Sequence, residues 1–516
     1  MTYQVIHTKP NGKKYVYSVE GYWDKEKKQP RNRQVCLGRL NEETGEIITS
    51  NKKERSAEHA LVTPEVTARS QIIGSSLILD QVVDELGLLK LLNRSCPDKS
   101  KHILSLAYFL VQKGLPLSHC ETWSISHQHP YGEAIPSQRV SDLLSSISEG
   151  ERQAFFAEWM KKFSEKECLC YDLTSISSYA EGNEYVRWGY NRDNERLPQI
   201  NLAMLFGQKS GLPVYFRRMP GSISDVSTLK TTVSSLGFIG QTDLSFVMDR
   251  GFYSIDNIDA LFTAHYNFVL AIPQRKWIEE IYEEYRDKIL TFTNRKEIGE
   301  KEVLFMTTHP YKWKGRRCYV HLYFNHLKAA AEFDKLSLKL TQLIKELETG
   351  NLRAEHEADY ERFFIVKETA KKGRKVLQRP GAEEAARKKY IGFFSIMTNR
   401  KMDALSALEI YRRKEVVENC FDDLKNQLDS KRLRIHTSTT MEARLFIQFI
   451  ALILFSKIRQ IIKQNEALKN ITVREAMESM ETIAEVKFSG KYGKLITEAD
   501  PIQRKIMQAF GVSFKT

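Results

Sequence analysis

The sequence is short of the features that would point to several common chemistries. Its seven cysteines, Cys36, Cys96, Cys120, Cys168, Cys170, Cys318 and Cys420, are odd in number and scattered through 516 residues. None forms a Cys-x2-Cys pair, so neither a disulfide framework nor a structural zinc site is indicated. The 12 histidines have no ligand spacing. No Gly-rich P-loop, HExxH or GxSxG occurs, which sets aside P-loop phosphate binding, zinc proteolysis and serine hydrolysis. The start, MTYQVIHTKPNGKK, has no apolar core of signal-peptide type. The longest apolar stretch, Leu445 to Ile458, is interrupted by Gln448, Ser456 and Lys457. It falls short of the ~20 residues a membrane span needs and reads as a buried core helix. Acid is also in deficit: Asp+Glu 65 against Lys+Arg 78 leaves a formal charge of +13, making a polyanion the first partner to consider.

What is present is a folded, multi-domain chain, 42% hydrophobic and 28% charged. Residues 1–50 alternate and carry a Pro10-Asn11-Gly12 turn, so a small antiparallel β unit is expected, which with its basic residues Lys13, Lys14, Arg31 and Arg33 reads DNA, caps the fold or serves as a dimer element. A polar connector at 50–65 leads to a helical domain at 66–165, for DNA binding or dimerisation, where LILDQVVDELGLLKLL and HILSLAYFLVQ show three- and four-residue apolar spacing. Residues 166–273 change to strand, hairpin, helix, strand, helix, strand, a mixed α/β order. Residues 274–390, rich in Lys, Arg and Glu, read as an insertion domain. The core resumes over 391–465, with one helix predicted at 403–428, and a basic helical tail covers 466–516.

Two acids stand out. Asp172 ends the apolar run CLCYD, and Asp249 ends SFVMD. Carboxylates are disfavoured inside a buried strand but suit its C-terminal rim. On adjacent parallel strands ~4.8 Å apart, both would reach one cation. A strand-ending Asp also simply starts a turn. On the 403–428 helix, at about 100° per residue, Lys414, Glu418 and Lys425 fall within about 60° of Tyr411. A stripe of Ile410, Val417, Cys420, Leu424 and Leu428 lies beside that face and must be buried. Glu415 and Asp422 lie near the same face, so geometry alone does not select Glu418. Three carboxylates from separated segments suit a two-metal phosphoryl-transfer site, and flanking lysines suit DNA phosphates.

These residues resemble the DDE transposases of bacterial insertion sequences, in the group whose third-acid helix carries Tyr-x2-Arg-x3-Glu-x6-Lys. The match is Tyr411, Lys414, Glu418 and Lys425 within YRRKEVVENCFDDLK, with YDLTS around Asp172 and MDRGFYS around Asp249. WGYNRDNERLPQINLAM is similar to the hairpin lead-in after the first acid, and KRLRIHTSTTMEARLFIQFIALIL to the continuation of the third-acid helix. The family's Arg position holds Lys414, with Arg413 beside it, so the bidentate fork of a guanidinium is lost or displaced by one residue.

The resemblance implies an α/β, RNase H-like mixed-sheet core interrupted by an insertion domain. It implies Asp172, Asp249 and Glu418 as catalytic and metal-ligating residues for two Mg²⁺ ions, with Mn²⁺ as a substitute. It also implies cut-and-paste cleavage at element ends and strand transfer, in some members through hairpin ends, by a homodimer in a synaptic complex. The partner is double-stranded DNA, and the place is the bacterial cytoplasm at the nucleoid. Tyr411, Arg413, Lys414, Lys425, Lys431, Arg432 and Arg434 are the DNA-contact candidates, and KKGRK (Lys371, Lys372, Arg374, Lys375) is a second basic cluster. Trp313 and Trp277 are candidates to hold a flipped base. Two rival readings are an RNase H-like endonuclease that cuts without joining, and a DNA-binding protein that has lost catalysis.

Overall fold

The computed structural model describes residues 2–513 apart from 11, 25–28, 43, 50–66, 163–167, 239, 242, 300–301, 370–372, 389–390, 434, 436 and 490–492. The connector expected at 50–65, Lys371, Lys372 and Arg434 lie outside the described residues. The chain divides into two compact units, residues 1–68 with 488–493 and residues 69–487 with 494–516.

In the first unit, β1 (Thr2–Thr8), β2 (Lys14–Asp24), β3 (Gln29–Leu40) and β4 (Ile47–Ile48) form a four-stranded antiparallel sheet. The β1–β2 turn closes with Gly12 N–H donating to Lys9 O at 2.9 Å, Gly12 having φ +75°. Val16 and Val19 are the only buried aliphatic side chains among the described residues of this sheet.

After β5 (Ala68–Ile72), helices follow one another from Gly74 to Lys161. Their spaced apolar residues, such as Ile78, Leu79, Val82 and Val83, are buried. The last of these helices starts at a reciprocal capping box between Ser148 and Glu151.

The centre of the second unit is a mixed ten-stranded sheet. Its first part is β6 (Leu169–Ser178), β7 (Gln199–Gly207), β8 (Pro213–Pro220), β9 (Ser245–Met248) and β10 (Asn267–Ile272). Next along the chain come β11 (Arg295–Ile298), β12 (Glu302–Trp313) and β13 (Arg316–Phe324). A separate hairpin, β14 (Phe364–Thr369) and β15 (Gly373–Gln378), precedes β16 (Phe393–Thr398) and β17 (Arg432–Leu433). The order is β11-β12-β13-β16-β10-β9-β6-β7-β8, with β17 beside β6. Only the β6–β9, β9–β10 and β17–β6 pairs are parallel. Residues 295–324, read from sequence as part of an insertion, thus extend the core sheet through β13 and β16. A second small core of Leu340, Leu343, Leu347, Tyr360, Phe363 and Phe364 lies further along the same stretch.

The helix expected over 403–428 is in three pieces: Ala404–Arg412, Glu415–Asp422 and a wide π turn at Asp423–Gln427. At the first break, Lys414 N–H bonds Tyr411 O and Val417 N–H bonds Lys414 O, both one residue tighter than an α-helix. The stripe is largely buried: Val417, Cys420 and Leu424 are each 2% exposed and Leu428 0%, while Ile410 is half-buried.

Behind this segment runs Ser438–Gln464, a 27-residue helix long and apolar enough by composition to cross a membrane, yet buried without interruption from Leu445 to Ser456. Its polar residues explain the gaps in the apolar run. Gln448 Nε2 donates to Leu428 O and Asp429 O at 3.1 and 3.0 Å, Ser456 contacts Cys420, and Arg444 and Arg459 pair with Asp429 and Asp423. One helix therefore pins the whole 420–429 segment. The chain closes with β18 (Ala484–Phe488), β19 (Lys494–Ile496) and the helix Pro501–Ala509.

Candidate active site

Strands β6 and β9 set the site. Their last paired positions are Tyr171 and Met248, so Asp172 and Asp249 each follow the final rung of the parallel ladder. Asp172 does not end its strand, as the sequence suggested. β6 continues to Ser178 against β7, because the polar residues after it are buried and bonded rather than turned out. Asn191 Nδ2 donates to Ser177 Oγ at 3.1 Å, and Ser178 Oγ donates to Leu433 O at 3.2 Å. What stops at Asp172 is the neighbouring β9, and that opens the rim on one side.

Each carboxylate accepts a backbone N–H from the next residue, Leu173 to Asp172 and Arg250 to Asp249, both at 2.8 Å. Burial pushes the Asp172 carboxyl up to about 6, the charge of Asp249 adds to the rise, and Lys414 and Arg192 oppose it. Asp249 goes the other way. Burial would raise it, but the Tyr411 hydroxyl and the Lys414 ammonium win and hold it below the usual carboxylate range. Tyr411 Oη donates to Asp249 Oδ1 at 2.7 Å, and Lys414 Nζ lies 3.1 Å from Oδ2. The tight turn explains this: with three residues per turn, positions 411 and 414 eclipse and reach one acceptor together. Lys414, and not the exposed Arg413, is the cation aimed at the acids.

Glu418 is not with them. It sits on the exposed side of its helix, and among the described residues no hydrogen bond or ion pair links its side chain to either aspartate. No three His, Cys, Asp or Glu side chains among the described residues stand close enough to hold one metal ion. Glu415 and Asp422 are exposed as well, Asp422 bonding Asn426 at 2.6 Å.

Of the remaining candidate cations, Lys425 and Arg432 are paired with acids of one loop, 188–197. Lys425 Nζ bonds Asp193 at 2.6 and 2.8 Å, and Arg432 pairs with Glu195 at 2.8 Å. Lys431 is exposed beside them. The same loop supplies Arg192, which bonds Asp225 at 2.6 Å and whose charge reaches Asp172. Sequence reasoning missed Arg192, Asp193 and Glu195. Their one signal was position, in the loop that follows the first acid, since alternating charges carry no direction.

Trp313 and Trp277 meet edge to face, centroids 6.2 Å apart. Trp313 is 7% exposed and donates to Asp259 at 3.0 Å; Trp277 donates to the Tyr253 hydroxyl at 2.8 Å. Both rings are thus committed to the packing of the protein. Beside Asp249 a cavity of about 1220 Å³ opens, with Arg250, Arg275, Lys328, Lys339, Arg362 and Arg412 on its walls.

The arrangement offers two hard-oxygen ligands on a buried sheet rim, ringed by cations, which suits chemistry on a phosphodiester. Comparison with known proteins follows the same line. A family model described as the transposase DDE domain matches residues 163–454, more than half of the chain. No curated protein matches. One structure found as similar is the cryo-EM structure of the piggyBac transposase synaptic complex with hairpin DNA, with 10% identity and a TM-score of 0.37 over 79% of this chain and 76% of that one. Strands β6 to β10, both rim aspartates and the Tyr411–Glu418 segment all fall inside the matched span, and the chain belongs to the DDE transposase family.

Proposed function

We propose that this chain is a DNA transposase that cuts at the ends of an insertion sequence and joins the freed 3′ ends to target DNA, in the group marked by Tyr411, Lys414, Glu418 and Lys425. The observation that carries the reading is the position of Asp172 and Asp249, each just past the last rung between β6 and β9, with Tyr411 and Lys414 converging on Asp249. The order β8-β7-β6-β9-β10, three antiparallel strands followed by two parallel ones, supports an RNase H-like core.

The residues fit Mg²⁺ by their chemistry. Asp172 is driven up to about 6 because its charge is buried near that of Asp249, a strain that a divalent cation relieves. Asp172 and Asp249, with Glu418 as third ligand, would hold Mg²⁺, which would supply water activation and stabilisation of the leaving oxygen. The protein's own groups do the rest. Tyr411 orients Asp249, Lys414 exchanges that carboxylate for a DNA phosphate, and Lys425, Lys431 and Arg432 hold the backbone further along. Water attacks phosphorus and the element's 3′ oxygen leaves; that 3′-OH then attacks a target phosphate and expels the target's 3′ oxygen. Two subunits act on two ends.

The test is Mg²⁺-dependent nicking of duplex DNA carrying the element's ends, followed by joining to a target plasmid. Asp172→Asn, Asp249→Asn and Glu418→Gln should each abolish nicking while DNA binding persists. Nicking without joining would favour the endonuclease reading. Loss with Glu415→Gln or Asp422→Asn, and not with Glu418→Gln, would move the third ligand.

A further inference from the structure

β8 is the last strand of its sheet and has one neighbour, β7. Half of its backbone N–H and C=O groups therefore point away from the ladder. The start of this edge is closed, because the Trp159 indole N–H donates to Pro213 O at 2.9 Å. Just past its end, Gly221 N–H donates to Tyr185 O at 3.0 Å. Between these closures, no protein group among the described residues bonds the outward backbone groups of residues 214–219. The prolines that would blunt an edge stand only at its two ends, Pro213 and Pro220.

A groove runs along the open edge. Tyr215 to Pro220 border one cavity of about 430 Å³ without skipping a residue. Side chains alternate between the two faces of a strand, so an unbroken run of six places the cavity along the edge and not on one face. A second cavity of about 800 Å³ adjoins it at Tyr215, Arg217 and Thr231. The helices Glu149–Lys161, Asp225–Phe238 and Ser438–Gln464 supply the walls. On one wall Arg217 bonds Ser235, and Lys230 is exposed with no acid partner among the described residues. On the other, Arg218 and Arg152 share a single carboxylate, Glu442, at 2.8 and 4.0 Å. Glu149 is the one further acid of the lining, so cations are in excess.

The edge and the charge together define what fits. Nucleic-acid phosphates only accept hydrogen bonds and would leave the edge carbonyls unmet. An extended peptide carries both donors and acceptors at the repeat of the strand itself. We propose that β8 accepts an extended acidic segment of a partner protein as an added strand, with its acidic side chains at alternate positions against Arg217 and Lys230. Six residues at about 3.3 Å each span the edge. β7 stands between this surface and the strand of Asp172, and the proposal is independent of the chemistry assigned to the rim acids.

The experiment selects on the full chain from a phage-displayed library of random ten-residue peptides. The expected winners carry Asp or Glu at every second position, with β-branched or aromatic residues between. The recovered peptide is then made in two N-methylated forms, each blocking alternate N–H groups. An added strand tolerates one form and loses about tenfold or more in affinity with the other. Hydrogen exchange should slow at outward amides within 214–219 when the peptide binds. Arg217→Glu with Lys230→Glu should weaken the peptide by about tenfold or more, and a version with Lys in place of its acids should bind this variant better than the original does. That rescue separates lost charge from a misfolded chain. Failure to select any peptide, selection without alternation, or equal affinity of the two N-methylated forms overturns the proposal. Short duplex DNA that binds through Arg217 and Lys230, with no peptide protecting the 214–219 amides, would make this a nucleic-acid surface and overturns it as well.

Discussion

Asp172 carries the largest electrostatic tension at the rim, and its sign can be worked out. Its folded value of about 6 lies above the ordinary 3.8, so the folded state disfavours the charged form. That contribution to stability is fully present below pH about 4 and is lost as pH rises through about 6. Asp172→Asn removes the charge and keeps an oxygen for the Leu173 N–H. In metal-free buffer it should therefore stabilise the protein at pH 7.5 by roughly 3 kcal/mol, with the gain vanishing near pH 4. Urea melts at the two pH values check this. A variant no more stable than wild type at pH 7.5 would mean that the carboxylate is well solvated or fully neutralised by Lys414 and Arg192.

At the scale of elements, the long helix Ser438–Gln464 and the loop 188–197 both hold the segment around Glu418, the helix through Leu428 and Asp429 and the loop through Lys425 and Arg432. Gln448 is fully buried and holds the carbonyls of Leu428 and Asp429. Gln448→Ala takes the Gln448 donor from both, leaves the Asp429 carbonyl only Arg444 Nη2 at 3.2 Å and opens a small cavity, so a loss of about 2–3 kcal/mol is expected by denaturant unfolding. Nicking should fall further than the folded fraction does, because the helix carrying Glu418 loses its anchor. In the loop, Asp193 and Glu195 occupy the cations that DNA phosphates would take. Asp193→Asn with Glu195→Gln should raise affinity for duplex DNA and steepen its salt dependence by about two in the log–log slope. Anisotropy titrations across a salt series measure both.

These elements also mark how far the sequence could be read. Burial leaves a period, so the strands and the stripe Val417, Cys420, Leu424 and Leu428 were legible. The break at Arg413–Lys414 was not. Both residues favour helix, and the turn is tightened by a contact with Asp249, 165 positions away in the case of Lys414. The length of β6 was misread for a related reason. Thr174, Ser175, Ser177 and Ser178 look like a strand end, yet they are buried, with the loop and β17 among their partners. The rim aspartates were found because the apolar run does change character at Asp172, though the cause is the end of its neighbour β9.

For the molecule as a whole, the rim pair is assembled within one sheet, whereas Glu418 arrives on a helix joined to that sheet by ion pairs and a packed stripe. β11 to β13 make the sheet wider than the five strands that carry the acids, and the basic cavity opens between those strands and the helix His326–Thr349. A polyanion entering this region would compete for Lys414 and Lys425 together, releasing Asp249 and freeing the segment that carries Glu418 from Asp193 in one event. The account thus predicts that the three carboxylates meet only once DNA is bound. The direct measurement is anomalous scattering from Mn²⁺ in crystals of the protein bound to end DNA. Density contacted by Asp172, Asp249 and Glu418 is the expected result. Mn²⁺ bound without Glu418, whether by Glu415, by Asp422 or by the two aspartates alone, would contradict it.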